Sequence, residues 1–376
     1  MEPFRAAQAT GDDWRTACRR CLEKLRDLPP SARLGFVYAS GPVAEALDLV
    51  VEELKRATGI ADWAGCGGAG VCSSGHEQFG EGALVVLVAS LGAGDHRVFD
   101  ALHGAGAASA SGLGGGGARL AVVHGDPRQI RAPEAIAGLA AEQELFLVGG
   151  LASSPASAAQ IAGRPTEGGL SGVALGAAVP AITGITQGCA PIGPVHEVTG
   201  CHSRWLISLD GRPALDVLKD EIGDILTRQL HRVSHYIHAA LPVHGGDRAD
   251  YLVRNLLGID LQQGAIAIAA EVRRGDGILF VKRDGASARK DLHRMLVDLD
   301  ARRGGRQVRG ALYHVCIARG PNLFGPDSRE LKLIEAVLGP VPLAGFFANG
   351  EIFHDRLYTY TGVLTLFLDD GRGGRS

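Results

Sequence analysis

The chain has 376 residues, more than one ordinary core accommodates, so two domains are expected. Its net charge of −3, from 38 Lys and Arg scattered among 41 Asp and Glu, offers no basic face for nucleic acid, and seven cysteines without framework spacing suit free thiols in the cytoplasm. Residues 1–33 contain no apolar leader segment and the longest apolar run, 83–91, is too short to span a bilayer, so no membrane partner is expected.

In chain order, residues 13–25 read as a helix carrying Cys18 and Cys21, a C-x-x-C with no second ligand pair nearby and so two helix thiols. Residues 34–39 read as a strand, 43–57 as an amphipathic helix, 64–71 as a glycine loop and 83–89 as a buried strand. The Gly/Ala/Ser tract 104–117 reads as a flexible surface loop. It is followed by a strand at 119–124, a helix at 133–143 and short strands at 145–148, 172–175, 181–187, 196–199 and 205–209, which imply an antiparallel portion. Asp210-Gly211-Arg212-Pro213 punctuates the chain before a helix at 214–226. Beyond it come strands at 251–259, 265–272 and 277–282, a helix at 286–300, a strand at 311–317, a helix at 328–337, a glycine loop at 344–350 and a strand at 363–368. The fold class expected is α/β with mixed α+β character, as two mixed-sheet domains flanked by helices. The segments are an N-terminal helix and linker (1–32), domains at 33–209 and 210–368, and a disordered tail (369–376).

The two ends repeat one another. Ala64-Gly65 with Gly70 matches Ala344-Gly345 with Gly350 at a constant offset of 280, and each loop lies between an upstream strand and helix and a downstream strand. Gly65 to Gly70 also satisfies G-x-G-x-x-G, but the stretch follows a helix and precedes a polar turn, the wrong context for a dinucleotide. Close backbone packing or an anion contact remains open for it.

Chemistry concentrates near the C-terminus. His314 and Cys316 share one face of a strand whose exit carries Arg319 and Gly320. An Arg fork can grip a carboxylate or a phosphate, while Asn349, Gly350 and Glu351, followed by Tyr360 and Thr361, can receive an amine and orient polar groups. The alternatives are a buried thiol at Cys316, an ion pair at Arg319, and a loop held by its own hydrogen bonds. His231, His235 and His238 fall at i, i+4 and i+7 of a helix, a spacing open to a metal or haem iron, yet Arg232 stands where zincin chemistry needs Glu. Solvated or satisfied histidines are the preferred reading. Residues 187–194 read as a rigid turn, with His196, Cys201 and His202 near it in sequence.

Residues 64–71, 188–194 with Val198-Thr199, 316–320 and 345–352 together resemble the FIST family of bacterial sensory proteins, over about residues 33–368. The resemblance implies a stand-alone, small-ligand-binding signalling module, with amino acids as suggested ligands. It carries the Cys-Arg-Gly pattern to Cys316, Arg319 and Gly320, and the Gly-Glu pattern to Gly350 and Glu351. With no room for a kinase or cyclase part, the chain is expected to report to a separate partner of that kind or to act as a stand-alone binding protein. No cofactor is expected, although the resemblance also admits a haem-based nitric oxide sensor, for which no motif designates a ligand. A thiol enzyme using Cys316 with His314 is the remaining alternative.

Overall fold

A computed structural model of the chain describes residues 2–102, 117–128, 131–155, 159–227, 236–243 and 250–371. They form two compact units, one of residues 1–186 with 289–376 and one of 187–288.

The first unit contains three six-stranded sheets of one plan. Segment one supplies β1 (Arg5–Thr10), β2 (Ala32–Ser40), β3 (Asp62–Gly67), the hairpin β4 (Gly70–Ser73) and β5 (His76–Phe79), and β6 (Ala83–Ser90). Segment two supplies β7 (His96–Leu102), β8 (Ala118–Gly125), β9 (Phe146–Leu151), the hairpin β10 (Gln160–Ala162) and β11 (Arg164–Thr166), and β12 (Leu170–Gly176). Segment three supplies β13 (Ala181–Gln187), β22 (Val308–Cys316), β23 (Leu343–Ala348), the hairpin β24 (Glu351–His354) and β25 (Arg356–Tyr358), and β26 (Thr361–Leu368). The sheet orders are β1-β6-β2-β3-β10-β11, β7-β12-β8-β9-β24-β25 and β13-β26-β22-β23-β4-β5. In each, the second and third main strands pair in parallel, and the hairpin is donated by another segment. The donation runs in a ring, segment one to sheet three, three to two, and two to one. The first unit is therefore three copies of one strand-helix-strand-hairpin-strand plan, joined in a pseudo-threefold ring by hairpin exchange.

The duplicated unit expected at the two ends is present, with matching orders β6-β2-β3 and β26-β22-β23, and a third copy lies between them. The expected glycine loops at 64–71 and 344–350 are instead mainly strand, β3 running into β4 and β23 running toward β24. The reason is a close approach repeated in every copy. A Cβ on Gly65, Gly149 or Gly345 would stand 1.7, 1.9 or 1.9 Å from the carbonyl oxygen of Val37, Val123 or Tyr313 on the parallel neighbour. Only glycine fits there.

Helices close the outer faces. α1 (Trp14–Lys24) starts at Asp13, whose carboxylate accepts from the Thr16 N–H at 3.0 Å, and α2 (Gly41–Glu45) precedes α3 (Leu47–Thr58). Leu47, Val50, Val51 and Leu54 form the buried stripe of α3, packed with Cys18, Cys21 and Trp63. α4 (Ala132–Gln143) buries Ile136 and Leu139 over sheet two.

The second unit is a closed antiparallel barrel. Its order is β21 (Gly277–Arg283), β15 (His196–His202), β16 (Trp205–Leu209), β20 (Ala265–Ile268), β19 (Tyr251–Asp260) and β18 (Ile237–Pro242), which pairs back to β21. β14 (Cys189–Pro191) extends β21 and β17 (Arg212–Pro213) extends β16, while α5 (Ala214–Thr227) covers a core of Leu206, Leu218, Ile266 and Phe280. After the barrel, α6 (Gly285–Arg303) sets Met295 and Leu299 against Gly184 of β13, and α7 (Pro321–Phe324) and α8 (Arg329–Leu338) separate β22 from β23. Among the described residues no helix is long and apolar enough to cross a membrane.

Candidate functional site

The three copies allow position-by-position comparison. One residue beyond the carbonyl facing the repeated glycine stand Tyr38, His124 and His314, all fully buried and brought together where the three copies meet. Tyr38 Oη lies 3.2 Å from His124 Nε2 and 3.1 Å from His314 Nε2, and Phe346 stacks on Tyr38 at 5.0 Å between ring centroids. Burial drives the His124 pKa down to about 3, and burial with His124 beside it drives His314 well below the usual range. Both rings are neutral, so Tyr38 donates to one Nε2 and accepts from the other. His314 is thus a member of a hydrogen-bond trio. It makes no hydrogen bond to Cys316 among the described residues.

Two residues further along, at the carboxyl ends of the central strands, the copies carry Ser40, Asp126 and Cys316. The equivalent residue at the start of each segment's own hairpin, paired with the residue after the repeated glycine of the neighbouring sheet, is Val71, Gln160 and Glu351 in segments one, two and three. The first copy has no polar atom there. In the second, with its amide oriented to satisfy both ends, Gln160 donates to Ser171 Oγ at 2.5 Å and the His124 carbonyl at 2.7 Å, and accepts from the Asp126 N–H at 3.3 Å. The third differs: Glu351 is 0 % exposed, its Oε2 accepts from the Thr361 N–H at 3.1 Å and hydroxyl at 2.8 Å, and its Oε1 has no hydrogen-bond partner. Burial raises this carboxyl to about 8, with the Thr361 hydroxyl and N–H, the Arg319 charge and, least, the Gly350 N–H acting in the opposite direction.

Cys316 adjoins Glu351. Burial, then the Glu351 charge, push its thiol far up, outweighing the backbone N–H groups of Ala318 and Tyr360 and the Arg319 charge. It is a buried thiol, and the His314 ring two residues before it is engaged with Tyr38.

Arg319, 0 % exposed, is committed elsewhere. Its Nε and Nη2 donate to Glu330 Oε1 at 2.8 and 2.6 Å, the Tyr313 hydroxyl donates to the same oxygen at 2.6 Å, and the Gly320 N–H donates to Glu330 Oε2 at 3.0 Å. Burial works against the guanidinium charge, but Glu330 outweighs it and holds Arg319 protonated. The other side of the turn is faced by Glu77 of β5, whose Oε2 is buried without a partner and would lie 3.2 Å from a Cβ on Gly320. Burial and the Glu330 charge raise Glu77 to about 7.

Of the residues expected from sequence to form a ligand site, Cys316, Arg319, Gly320, Gly350, Glu351, Tyr360 and Thr361 gather at the end of β22. Asn349 is exposed and gives its backbone N–H to Leu151 O. Gly65 and Gly70 serve strand and hairpin packing, a Cβ on Gly70 meeting Gln78 O and the Phe79 ring at 2.8 Å. Glu77, Glu330, Tyr38 and His124 were missed, since each is far in sequence from the cluster or lies on an unremarkable helix.

The helix reading does not hold at His238, which lies buried on strand β18; His231 and His235 lie outside the described residues. In the barrel unit the expected turn at 187–194 contains β14, and His196 bridges Asp210 and Glu221, each at 2.6 Å.

The FIST N domain profile matches residues 33–212 and the FIST C domain profile residues 214–354. The chain belongs to the FIST family. The two matched segments interleave with the compact units, because copy three draws β13 from the first and most of its strands from the second. An uncharacterized protein of Mycobacterium bovis is 36 % identical over 211 residues, covering 52 % of this chain and 53 % of that protein. An uncharacterized protein of Mycobacterium tuberculosis is 37 % identical over 213 residues, 54 % of each. The aligned part spans about half the length of these curated relatives.

Proposed function

We propose that this FIST protein is a small-ligand-binding sensory module of signal transduction, acting in the cytoplasm, whose ligand is an amino acid or another small polar molecule held at the end of β22. The family is associated with sensory signalling and small-ligand binding. The observation that carries the location is Glu351 Oε1, a buried carboxyl oxygen with no donor, at the one copy of three where this hairpin position is polar and unsatisfied. Orphaned buried polar atoms are costly and call for a ligand, ion or water. The carboxyl ends of parallel strands are where open α/β sheets take ligands. The bound state would be read by a separate signalling protein, such as a kinase or cyclase.

Thermal melts against the twenty amino acids and a set of small amines, amides and carboxylates test the reading. At least one compound should raise the wild-type midpoint by a few degrees at saturating concentration and leave Glu351→Gln unmoved. Glutamine at the equivalent position 160 shows that the architecture accepts this side chain. An equal shift in the variant, or none in the wild type, contradicts the proposal.

A further inference from the structure

We propose that the ligand of this site is a cation, an alkylammonium or guanidinium group that needs no carboxylate of its own, received by the carboxyls of Glu351 and Glu77 on either side of the Cys316–Gly320 turn. The inference rests on the end of β22 being the ligand site and deepens that reading.

The charge balance of the turn carries it. Arg319 is the nearby cation expected to hold a ligand carboxylate; its Nε and Nη2 are both taken by Glu330, and its Nη1 lies 3.5 Å from the Thr186 carbonyl oxygen. Glu330 is itself filled, Oε1 by Arg319 and Tyr313 and Oε2 by the Gly320 N–H. Two acceptors remain: Glu351 Oε1, in a fully buried side chain beside Cys316, and Glu77 Oε2, against Gly320. An arriving anion would face two carboxyls and an already occupied guanidinium. An ammonium brings up to three donors, and a guanidinium brings five in a planar fork. Copies one and two, with Val71 and the satisfied Gln160, have no such vacancy to offer.

The same geometry predicts a proton signature. Glu351 and Glu77, lifted by burial to about 8 and about 7, are largely protonated at pH 6. A cation binds the ionised form, so binding expels protons and strengthens as pH rises, levelling once both carboxyls are ionised without ligand. One expelled proton corresponds to about a tenfold gain in affinity per pH unit below the carboxyl pKa.

Isothermal titration calorimetry at pH 6, 7 and 8, in two buffers of different ionisation enthalpy, reads both properties. The probes are butylamine, 1,4-diaminobutane, butylguanidine, butyrate, butyramide and 4-aminobutyrate. The expected result is binding of an amine or the guanidine, with proton release and affinity rising about tenfold per pH unit from pH 6. Glu351→Gln should weaken it at least tenfold, and Glu77→Gln should weaken the diamine further than butylamine. If butyrate or butyramide binds instead and Glu351→Gln abolishes it, the cation assignment falls and the site stands. Amine binding unchanged in Glu351→Gln overturns both, as does a wild type that binds no probe.

Discussion

Arg319 illustrates how a residue suited to ligand capture can be committed to the fold. Its guanidinium, Glu330, the Tyr313 hydroxyl and the Gly320 N–H form one closed network without exposure. Removing the guanidinium leaves Glu330 charged and buried, a loss of the kind that costs about 3–5 kcal/mol. Arg319→Ala should lower the stability of the first unit by that amount in chemical denaturation. A loss below about 1 kcal/mol would mean that the pair is open to solvent and available to a ligand. Glu351 behaves oppositely, since Glu351→Gln removes a titratable proton from a position where copy two already carries an amide. Sequence supplied most of this cluster because strand periodicity put Cys316 just before Arg319, and a glycine turn announced Glu351. It did not supply Glu330, which spends the Arg319 charge, because a helical Glu eleven residues away resembles any solvated carboxylate.

At the scale of elements, the repeated glycine explains why β3 and β23 looked like loops. A glycine-rich string normally signals turns, but here each parallel pair brings a carbonyl oxygen to within 1.7–1.9 Å of where a Cβ would stand. Gly149 adds a backbone φ of +142°, so Gly149→Ala should cost about 2–4 kcal/mol through overpacking and strain. Gly138, inside α4 with open space around it, should respond with the opposite sign, Gly138→Ala gaining about 0.5–1 kcal/mol. Urea titration of the two variants beside the wild type checks both signs, and a tolerated alanine at 149 would contradict the packing account. Several other elements followed their apolar periodicity, as in 181–187 and 205–209, where the expected strands and β13 and β16 coincide, whereas the short hairpin strands and β18 were not expected. The leading strand β1 was missed. Its short run Arg5–Thr10 alternates too weakly to register, and it gains its place by pairing with the fully buried β6.

At the scale of the whole molecule, two repeats were legible and the third was not. Copy two is disguised by the 104–117 tract, whose residues separate its first two strands, and copy three is split by the barrel unit inserted between β13 and β22. Hairpin exchange hides the ring further, since each sheet is completed by residues distant in sequence. The trio Tyr38, His124 and His314 became visible only when strand registers placed them at equivalent positions. The three copies differ at the start of the hairpin: the first carries the apolar Val71, the second the satisfied Gln160, and the third a buried carboxyl oxygen without a donor. The account therefore predicts one ligand per chain. Native mass spectrometry of the protein titrated with 1,4-diaminobutane measures this directly, with one adduct saturating in the wild type and none in Glu351→Gln. Three equivalent adducts, or a single adduct that survives in the variant, would contradict it.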